Sequence, residues 1–484
     1  MIPESPKRAL ALIGARLASG AGVGLQAPPF DGGLTMPGRI VVQQVFQPGN
    51  RAAARRALIC GLFCALLGAW MATPLRACTT AVITGKATTD GRPLLWKSRD
   101  TKSLPRNEVI VYDGAKHRVL AVVNAGHRDE VWMGVNSAGF CIENSLSKDL
   151  LVEGETTGPG NGGIMKLALE TCASVADFRA LLERTNDTGR KTDGNFGVID
   201  AAGGAALFEA GPRTFRMFDA NDPEVAPHGY IVRSNFSTTA EQIPAAPDPD
   251  SLTVAYSGER YARACRLIER RRENGVTVEY VLQHLCRDMA DGRGQPFAGT
   301  VNGPAGELPD EVNTSATISR TTTVSAAVFH GVKPGEDPRL TTMWVQLGDP
   351  KFSIAVPCWV ACESLTDAVS GKHGGAICSI ATTLREWNLT KDRDGVETDQ
   401  LRQVWDDVWP VERRLVKVVA DMRRRWENAP GSPAEFTELH RHLATQALDA
   451  MREELVDMKE SALRLPGPPP PVFAPSDPAP TLIP

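Results

Sequence analysis

The chain has 484 residues, of which 42% are hydrophobic and 23% are charged, so it can bury one large core or two ordinary ones. Its 53 basic and 57 acidic residues leave a formal net charge of −4. This balance provides no basic surface of the kind that attracts nucleic acid or anionic lipid, so both are excluded as partners.

The N-terminal part of the chain has the pattern of an export signal. Residues 51–77 combine an arginine-rich start, an apolar run of 14 residues and a small residue at Ala77. A bilayer-spanning helix needs about 20 apolar residues, which favours a cleaved signal peptide over a permanent anchor. Residues 1–50 are predicted to be a non-globular extension, and a translation start at Met36 or near Arg51 is an alternative.

Cleavage after Ala77 would make Cys78 the first residue of an exported protein, either periplasmic or secreted. The run "LRAC" also partly resembles a lipoprotein cleavage box, and lipoprotein processing would acylate Cys78. Eight of the ten cysteines remain from Cys78 onward, and with Cys78 free the other seven permit at most three disulfides. Because no cysteine pair lies at a zinc-like spacing from a second pair or from histidines, we predict no structural metal.

Residues 78–383 mix short β-like runs with helical stretches. The β-like runs are bounded by turn residues, and they read "TTAVIT", "PLLWKS", "EVIVYD", "RVLAVVN", "FGVIDA", "GAALFEA", "TVSAAVF", "TTMWVQLG" and "FSIAVPCWV". The main helical stretches read "GGIMKLALETCASVADFRALLERT" and "SGERYARACRLIERRRENG". Since the elements follow no regular βαβ order, the predicted fold class is α+β, a layered sandwich rather than a doubly wound sheet.

Residues 384–465 predict a helical appendage. Apolar residues recur at three- and four-residue steps on both sides of "APGSPAE", which indicates a helical hairpin. Ser432, Pro433 and Glu435 supply a cap, a first-turn proline and a capping-box acid for its second arm. We favour an arm packed on the body of the protein over a dimerisation arm, and homo-oligomerisation stays open. Residues 466–484 hold nine prolines and predict a disordered or polyproline-like tail.

The stretch that begins at Cys78 predicts a β-hairpin. Two β-like runs flank Asp90-Gly91, and Asp-Gly is a strong hairpin turn signal. Antiparallel pairing would return residues 97–100 to the start of the first strand. Cys78 would therefore lie beside basic and acidic side chains.

A chain that begins at Cys78 carries a thiol and an α-amine on the same residue. The reference pKa is about 7.7–8.0 for the amine and about 8.5 for the thiol, so the amine can take the thiol proton near neutral pH. One residue then supplies both nucleophile and base. The thiolate would attack an amide carbonyl, and the amine would return the proton to the leaving nitrogen.

This pattern resembles the cysteine branch of the N-terminal nucleophile (Ntn) hydrolases. The branch includes choloylglycine hydrolases and penicillin acylases, the acyl-coenzyme A:isopenicillin-N acyltransferase and carcinine hydrolase group, and dipeptidases that begin with "CTT". The resemblance covers roughly residues 78–360, and the runs that carry it are "CTTAVITGKATTDGRPLLWKSRDT", "GVNSAGFCIEN", "GNFGVIDAAGGAALFEAG", "YIVRSNFS" and "SGERYARA". It implies a four-layer αββα sandwich.

The resemblance also implies roles for seven residues, which are Cys78, Lys97, Arg99, Asp100, Asn144, Asn195 and Arg260. In the family an arginine and an aspartate on the second strand orient the nucleophile and its amine. Asp100 matches the aspartate, whereas Lys97 stands where the arginine is usual and Arg99 lies two positions on. Lysine is a point charge and cannot form the arginine fork, so either Lys97 or Arg99 is the cationic partner.

Two asparagines and one arginine complete the implied site. Asn195 precedes "FGVID" and matches the position that donates to the oxyanion, and Asn144 fits the other asparagine position. Amide donors aimed at a developing negative oxygen can supply several kcal/mol of transition-state stabilisation. Arg260, in "SGERY", lies where related enzymes carry an active-site arginine.

Each of these residues has a plainer alternative role. The alternatives are a disulfide or a lipid on Cys78, an exposed ion pair between Lys97 and Asp100, a turn at Asn195 and a solvated position for Arg260. His330 and His228 suggest a papain-like pairing with a cysteine, but a histidine after an apolar strand is more often structural.

The sequence thus predicts an exported amidohydrolase that cleaves a linear, non-peptide or small peptide-like C–N bond through a thioester on Cys78, without a metal or organic cofactor. Its partner is a small-molecule amide or short peptide, with no stable membrane span after processing. The alternatives are an acyltransferase, in which an amine or thiol intercepts the thioester, and a dipeptidase. A different class of alternative is a catalytically silent, lipid-anchored or secreted binding protein.

Overall fold

The computed structural model describes residues 78–150, 157–250, 257–292, 294, 309–427 and 429–464, with side chains to residue 460. The predicted extension (1–50), signal peptide (51–77) and proline-rich tail (466–484) lie outside the described residues.

The strands of the described residues form two large antiparallel sheets and one small one. The strands are β1 (Cys78–Ile83), β2 (Leu94–Asp100), β3 (Asn107–Asp113), β4 (Arg118–Asn124), β5 (Met133–Asn136), β6 (Cys141–Leu146), β7 (Gly194–Ile199), β8 (Ala205–Ala210), β9 (Phe215–Asp219), β10 (Tyr230–Arg233), β11 (Glu311–Asn313), β12 (Thr323–His330), β13 (Thr342–Leu347), β14 (Val356–Cys358) and β15 (Gly395–Glu397). Sheet 1 has the strand order β10-β1-β2-β12-β13-β14, and sheet 2 runs in sequence order from β3 to β9. The small sheet pairs β11 with β15.

The helices lie outside the two large sheets. They are α1 (Asn161–Thr171), α2 (Val175–Thr188), α3 (Thr238–Glu241), α4 (Gly258–Glu269), α5 (Val278–Tyr280), α6 (Ala376–Trp387), α7 (Leu401–Trp426) and α8 (Pro433–Arg464), with short 3-10 and π turns between them. Helices α1 and α2 contact sheet 2, whereas α4, α6 and α8 contact sheet 1.

Four layers result from this arrangement. Apolar residues of β1 and β2 and the facing residues of sheet 2 belong to one buried cluster, which continues past sheet 1 into its covering helices. A second cluster fills the space between sheet 2 and helices α1 and α2, where Phe178 meets Phe208 edge to face with ring centroids 5.0 Å apart. Alternating side chains supply both faces of each sheet, as two-sided burial requires. The predicted four-layer αββα α+β sandwich with a C-terminal helical hairpin is confirmed.

The stretch predicted to be helical over residues 162–185 forms two helices. The first ends at Thr171, and Ser174 caps the second, because its Oγ accepts a hydrogen bond from the backbone N of Asp177 (3.1 Å). Asp177 accepts in return from the backbone N of Ala173 (2.9 Å). This reciprocal cap satisfies N–H groups that a helix end leaves without partners.

The C-terminal hairpin packs on the body of the protein. Ser432 and Glu435 form the predicted capping box, in which Glu435 accepts from the Ser432 backbone N at 2.7 Å. Glu412 of α7 forms a buried ion pair with Arg287 (2.8 Å), a residue that follows α5 in the chain. The division predicted between residues 383 and 384 falls inside α6.

The predicted pairing of β1 with β2 forms, with residues 84–93 between the two strands. Cys78 lies opposite Arg99 and Thr80 lies opposite Lys97. Directly opposed residues of an antiparallel pair share a face, so these four side chains lie on one face of sheet 1. Asp100 lies on the other face, and the hairpin brings residues 97–100 to the start of β1 as the turn signal predicts.

Candidate active site

The thiol of Cys78 differs from the other described thiols in lying on the face of sheet 1 that also carries Arg99. The eight described cysteines are all free and buried, with Cys78 at 6% exposure and Cys265 next at 4%. Burial raises the pKa of the other seven thiols, which belong to Cys141, Cys172, Cys265, Cys286, Cys358, Cys362 and Cys378. Buried cysteines in apolar surroundings are inert, whereas reactive ones are partly accessible and lie near cations. Of the described thiols, Cys78 is therefore the best placed to act as a nucleophile.

The backbone of Cys78 is held by two polar side chains. Its nitrogen donates a hydrogen bond to Asn235 Oδ1 at 2.9 Å. Its carbonyl oxygen accepts from Arg260 Nη1 at 2.6 Å, and the same guanidinium reaches Thr79 Oγ1 (2.8 Å) and Asn235 Oδ1 (2.6 Å). The first residue of β1 is thus fixed at both its nitrogen and its carbonyl group.

The structure brings Asn235 to Cys78 through strand pairing. β10 pairs with β1 so that Arg233 lies opposite Thr80, and Asn235 follows two residues later, level with the start of β1. Asn235 Nδ2 donates to the carbonyl of Leu146 (2.7 Å), and its backbone N donates to Ser257 Oγ (2.9 Å). Sequence reasoning missed Asn235, although the residue lies in the run "YIVRSNFS". A polar residue directly after a strand is the signal that could have identified it.

Arg99 places a cation on the face of sheet 1 that carries the Cys78 side chain. Its guanidinium donates to Asn107 Oδ1 (2.9 Å) and Asn124 Oδ1 (3.0 Å) and lies 4.3 Å from the ring centroid of Trp132. Trp132 also donates from Nε1 to Asn124 Oδ1 at 3.1 Å. Stacking and two amide acceptors hold the guanidinium of Arg99 in place.

Lys97 reaches across to sheet 2. The residue is 1% exposed, and its Nζ donates to Asn144 Oδ1 (2.6 Å) and to the carbonyl of Trp132 (2.7 Å). With Oδ1 of Asn144 bound to an ammonium, the amide nitrogen of Asn144 points the other way. That Nδ2 makes no hydrogen bond within the described part of the chain, so it is available as a donor.

Asp100 lies on the opposite face of β2, with Thr323 of β12 as its neighbour. Its Oδ1 accepts from Thr323 Oγ1 at 2.6 Å. Its Oδ2 lies 3.9 Å from Arg320 Nη1 and has no hydrogen-bond partner among the described residues. Burial raises the pKa of the Asp100 carboxyl group, while Arg320 and Arg260 act in the other direction.

Asn195 supports the segment that carries Asn235. Its Nδ2 donates to the carbonyl of Phe236 (3.0 Å), to Ser145 Oγ (3.0 Å) and to the carbonyl of Ser234 (3.3 Å). The amide hydrogens of Asn195 are thereby engaged with local acceptors. This placement ties Asn195 to the segment around Asn235, and its role as an oxyanion donor stays a prediction.

Both histidines considered from the sequence lie at the far end of sheet 1. His330 pairs with Leu94, at the end of β2 remote from residue 100, and its Nε2 lies 2.9 Å from Asp90 Oδ2. Burial lowers the pKa of His330 to about 4. His228 contacts Glu269 through Nδ1 at 2.9 Å. Neither imidazole is placed to pair with the Cys78 thiol.

A cavity of about 230 Å³ also lies at that far end, lined in part by Lys86, Gly229 and Tyr230. Tyr230 pairs with Ile83, five residues along β1 from Cys78, which corresponds to about 17 Å at 3.3 Å per residue. The cavity is therefore separate from the Cys78 site.

Within the described ranges, no group of three or more histidine, cysteine or acidic side chains could hold a metal ion. No described helix is long and apolar enough to cross a bilayer.

Comparisons with known proteins do not establish a family. No protein-family model and no curated protein matches the chain. Among solved structures, a conjugated bile acid hydrolase from Clostridium perfringens is similar at 11% identity, with 56% of this chain and 89% of that chain covered and a TM-score of 0.35. Penicillin V acylase from Agrobacterium tumefaciens is similar at 13% identity, 58% and 86% coverage and a TM-score of 0.32. An N-acylethanolamine-hydrolyzing acid amidase ortholog from Caenorhabditis elegans is similar at 10% identity, 52% and 92% coverage and a TM-score of 0.32. Because these TM-scores lie below 0.5, the function of this chain is inferred from its own residues.

Proposed function

We propose that this chain is an exported amide hydrolase in which Cys78, released as the first residue, attacks a linear amide carbonyl and forms a thioester. The observation that supports the proposal is a pair of hydrogen bonds to the backbone of Cys78, from its nitrogen to Asn235 and from Arg260 to its carbonyl oxygen. A structural cysteine needs neither contact. A residue whose own nitrogen must act as a base needs that nitrogen in one orientation.

The first step is proton transfer from the Cys78 thiol to its α-amine. The amine must be unprotonated before this transfer, and a guanidinium nearby favours the neutral amine; Arg260 donates to the carbonyl of the same residue at 2.6 Å. Asn235 Oδ1 accepts one amine hydrogen, which fixes the direction of the lone pair. Arg99 shares the face of the thiol and stabilises the thiolate that forms.

The second step is attack of the thiolate on the substrate carbonyl carbon. An S–C bond forms, and the carbonyl oxygen becomes an oxyanion that Asn144 Nδ2 is available to bind. A single donor of this kind contributes about 3–4 kcal/mol to transition-state stabilisation. The C–N bond then breaks, and the leaving nitrogen takes the proton held by the Cys78 amine. Water attacks the thioester with the amine again as base, which releases the acid and restores the thiol.

The test is the mass and the activity of the processed protein. The full chain is expressed with export, its N-terminus is determined by intact mass, and hydrolysis of acetyl, butyryl, phenylacetyl and β-alanyl p-nitroanilides is measured. We expect a mature chain that begins at unmodified Cys78 and hydrolyses at least one probe. Cys78→Ala should abolish hydrolysis, and Cys78→Ser should leave little, because an alkoxide is far harder to form than a thiolate.

The matched control is Cys172→Ala, which removes a thiol that is 2% exposed and lies between α1 and α2. It should leave hydrolysis unchanged. Full activity of the Cys78→Ala variant would refute the proposal. A fully active preparation in which the nitrogen of Cys78 is acylated or still in a peptide bond would refute it as well.

A further inference from the structure

A buried carboxyl group next to the proposed site has no part in the steps above. Glu143 is 0% exposed, and its Oε1 accepts from Thr80 Oγ1 and from the backbone N of Gly197 (3.1 Å). Its Oε2 is buried without a hydrogen-bond partner among the described residues. Because Thr80 lies opposite Lys97 on β2, the carboxyl group lies beside the strand pair that carries the nucleophile.

Lys97 connects this carboxyl group to the oxyanion donor. Its ammonium donates to Asn144 Oδ1 at 2.6 Å, and a hydrogen bond from a charged donor is stronger than one between neutral groups. Asn144 follows Glu143 directly in β6. The positive charge of Lys97 also acts on Glu143 and favours its ionised form. One ammonium therefore interacts with an amide oxygen and with a buried acid on adjacent residues.

We propose that Lys97 is a positioning residue that acts through Asn144 and not on the thiol. In this proposal the charge of Glu143 changes the strength of the hydrogen bond between Lys97 and Asn144. The proposal rests on the proposed function, since the orientation of Asn144 matters only if an oxyanion forms. An ammonium bound to an amide oxygen polarises the amide, which makes its N–H groups stronger donors. Lys97 thus fixes the direction of Asn144 Nδ2 and strengthens it.

The ionisation state of Glu143 sets how strongly the Lys97 ammonium polarises the Asn144 amide. The groups that face Glu143 are Thr80 from β1, the backbone of Gly197 from β7 and Lys97 from β2, and Lys97 is the charged one among these. Burial raises the pKa of Glu143 to about 8. Below that pH the acid is neutral and does not compete with Asn144 for the Lys97 ammonium. Above that pH the Glu143 carboxylate attracts the Lys97 ammonium away from Asn144 Oδ1, which makes Asn144 Nδ2 a weaker hydrogen-bond donor.

A double-mutant cycle tests the path through Asn144. Lys97→Met, Asn144→Ala and the double variant are compared on the p-nitroanilide that the wild-type protein hydrolyses best. Asn144→Ala should lower kcat about 10²- to 10³-fold, as loss of one oxyanion donor does. Lys97→Met should lower kcat at least about tenfold, and the double variant should be no slower than Asn144→Ala, because residues that act as one unit are not additive.

The rate of Cys78 alkylation by iodoacetamide is measured in the same variants by intact mass. It should stay within about threefold of wild type, because the thiol is reached without an oxyanion. Multiplicative losses of kcat in the double variant, or an alkylation rate that falls in parallel with kcat, would overturn the proposal. Absence of Cys78-dependent hydrolysis in the wild type would refute the proposed function instead, so the two failures are distinguishable.

Glu143→Gln provides a second test that does not depend on the folding of the Lys97 variant. The amide keeps the acceptor for Thr80 and Gly197 and cannot titrate. We expect the kcat of the wild type to fall above about pH 8 and the kcat of the variant to stay level to about pH 9. The control is Glu454→Gln in α8, since burial also raises the pKa of Glu454 to about 8. An unchanged decline in Glu143→Gln, or the same loss of decline in Glu454→Gln, would contradict the role of Glu143.

Discussion

Arg260 offers a direct measure of how firmly the start of β1 is held. Its guanidinium lies on α4 and donates to the carbonyl of Cys78, to Thr79 Oγ1 and to Asn235 Oδ1 at 2.6, 2.8 and 2.6 Å. The residue is 3% exposed. Replacement by methionine keeps an unbranched side chain in this space and removes all three donors.

The expected loss in the free energy of unfolding follows from the number of hydrogen bonds that Arg260→Met removes. Hydrogen bonds to charged groups contribute about 1.5–3 kcal/mol each, and each buried acceptor left without a partner is itself destabilising. Three bonds at the lower value give a loss of about 4–5 kcal/mol in the free energy of unfolding of the Arg260→Met variant. Arg260→Lys can restore one bond and should lose about 3 kcal/mol. The control is Arg266→Met on the same helix, whose ion pair with Asp250 is at the surface and contributes less than about 1 kcal/mol.

Urea unfolding of the three variants checks these values, with the slope of the transition compared to exclude a change in the denatured state. The alkylation rate of Cys78 is followed in parallel, because loosening of its carbonyl displaces the thiol. We expect Arg260→Met to be the least stable variant and to show an altered alkylation rate. If the free energies of unfolding of Arg260→Met and Arg266→Met differ by less than about 1 kcal/mol, the conclusion that Arg260 fixes the start of β1 is wrong.

Two further predictions concern buried acids. Burial raises the pKa of Glu143 from 4.5 to about 8 in the folded protein, so its contribution to stability is fully present below pH 4.5 and is lost as the pH rises through 8. Glu143→Gln should therefore gain stability relative to wild type at pH 9, on the order of a few kcal/mol, and little at pH 4, as measured by urea unfolding. Glu412→Ala leaves Arg287 buried without its ion-pair partner and should lose about 3–5 kcal/mol, whereas Glu412→Gln should lose less. A fall in melting temperature that is equal for both Glu412 variants would contradict this account.

Local sequence signals predicted the hairpin of β1 and β2 and most of the larger strands. The two runs pair as predicted and bring residues 97–100 beside Cys78, but the connection is residues 84–93 with a 3-10 turn at Gly85–Ala87, so the Asp90-Gly91 signal marks part of a longer loop. Residues 162–185 were predicted to be helical, and the structure divides them into one helix that ends at Thr171 and another that begins at Val175. The cap at Ser174 forms through a bond from the backbone N of Asp177, which exists only once the chain turns there.

The direction in which Lys97 and Asn195 point could not be derived from the sequence. Both were assigned to the nucleophile or the oxyanion by resemblance, yet Lys97 reaches Asn144 on sheet 2 and Asn195 binds the backbone on either side of Asn235. These contacts join residues up to 47 positions apart. They depend on how two sheets are stacked, which no local pattern specifies.

The sequence by itself determined the α+β class, the hairpin, the helical arm and the cysteine at the start of the first strand, because each depends on local periodicity, turn chemistry or capping. Tertiary structure alone decided which side chains meet that cysteine. Asn235 reaches it through pairing of β10 with β1, and Arg260 reaches it from α4, 182 residues away along the chain. Such contacts arise when distant elements pack together, and packing is a property of the whole fold.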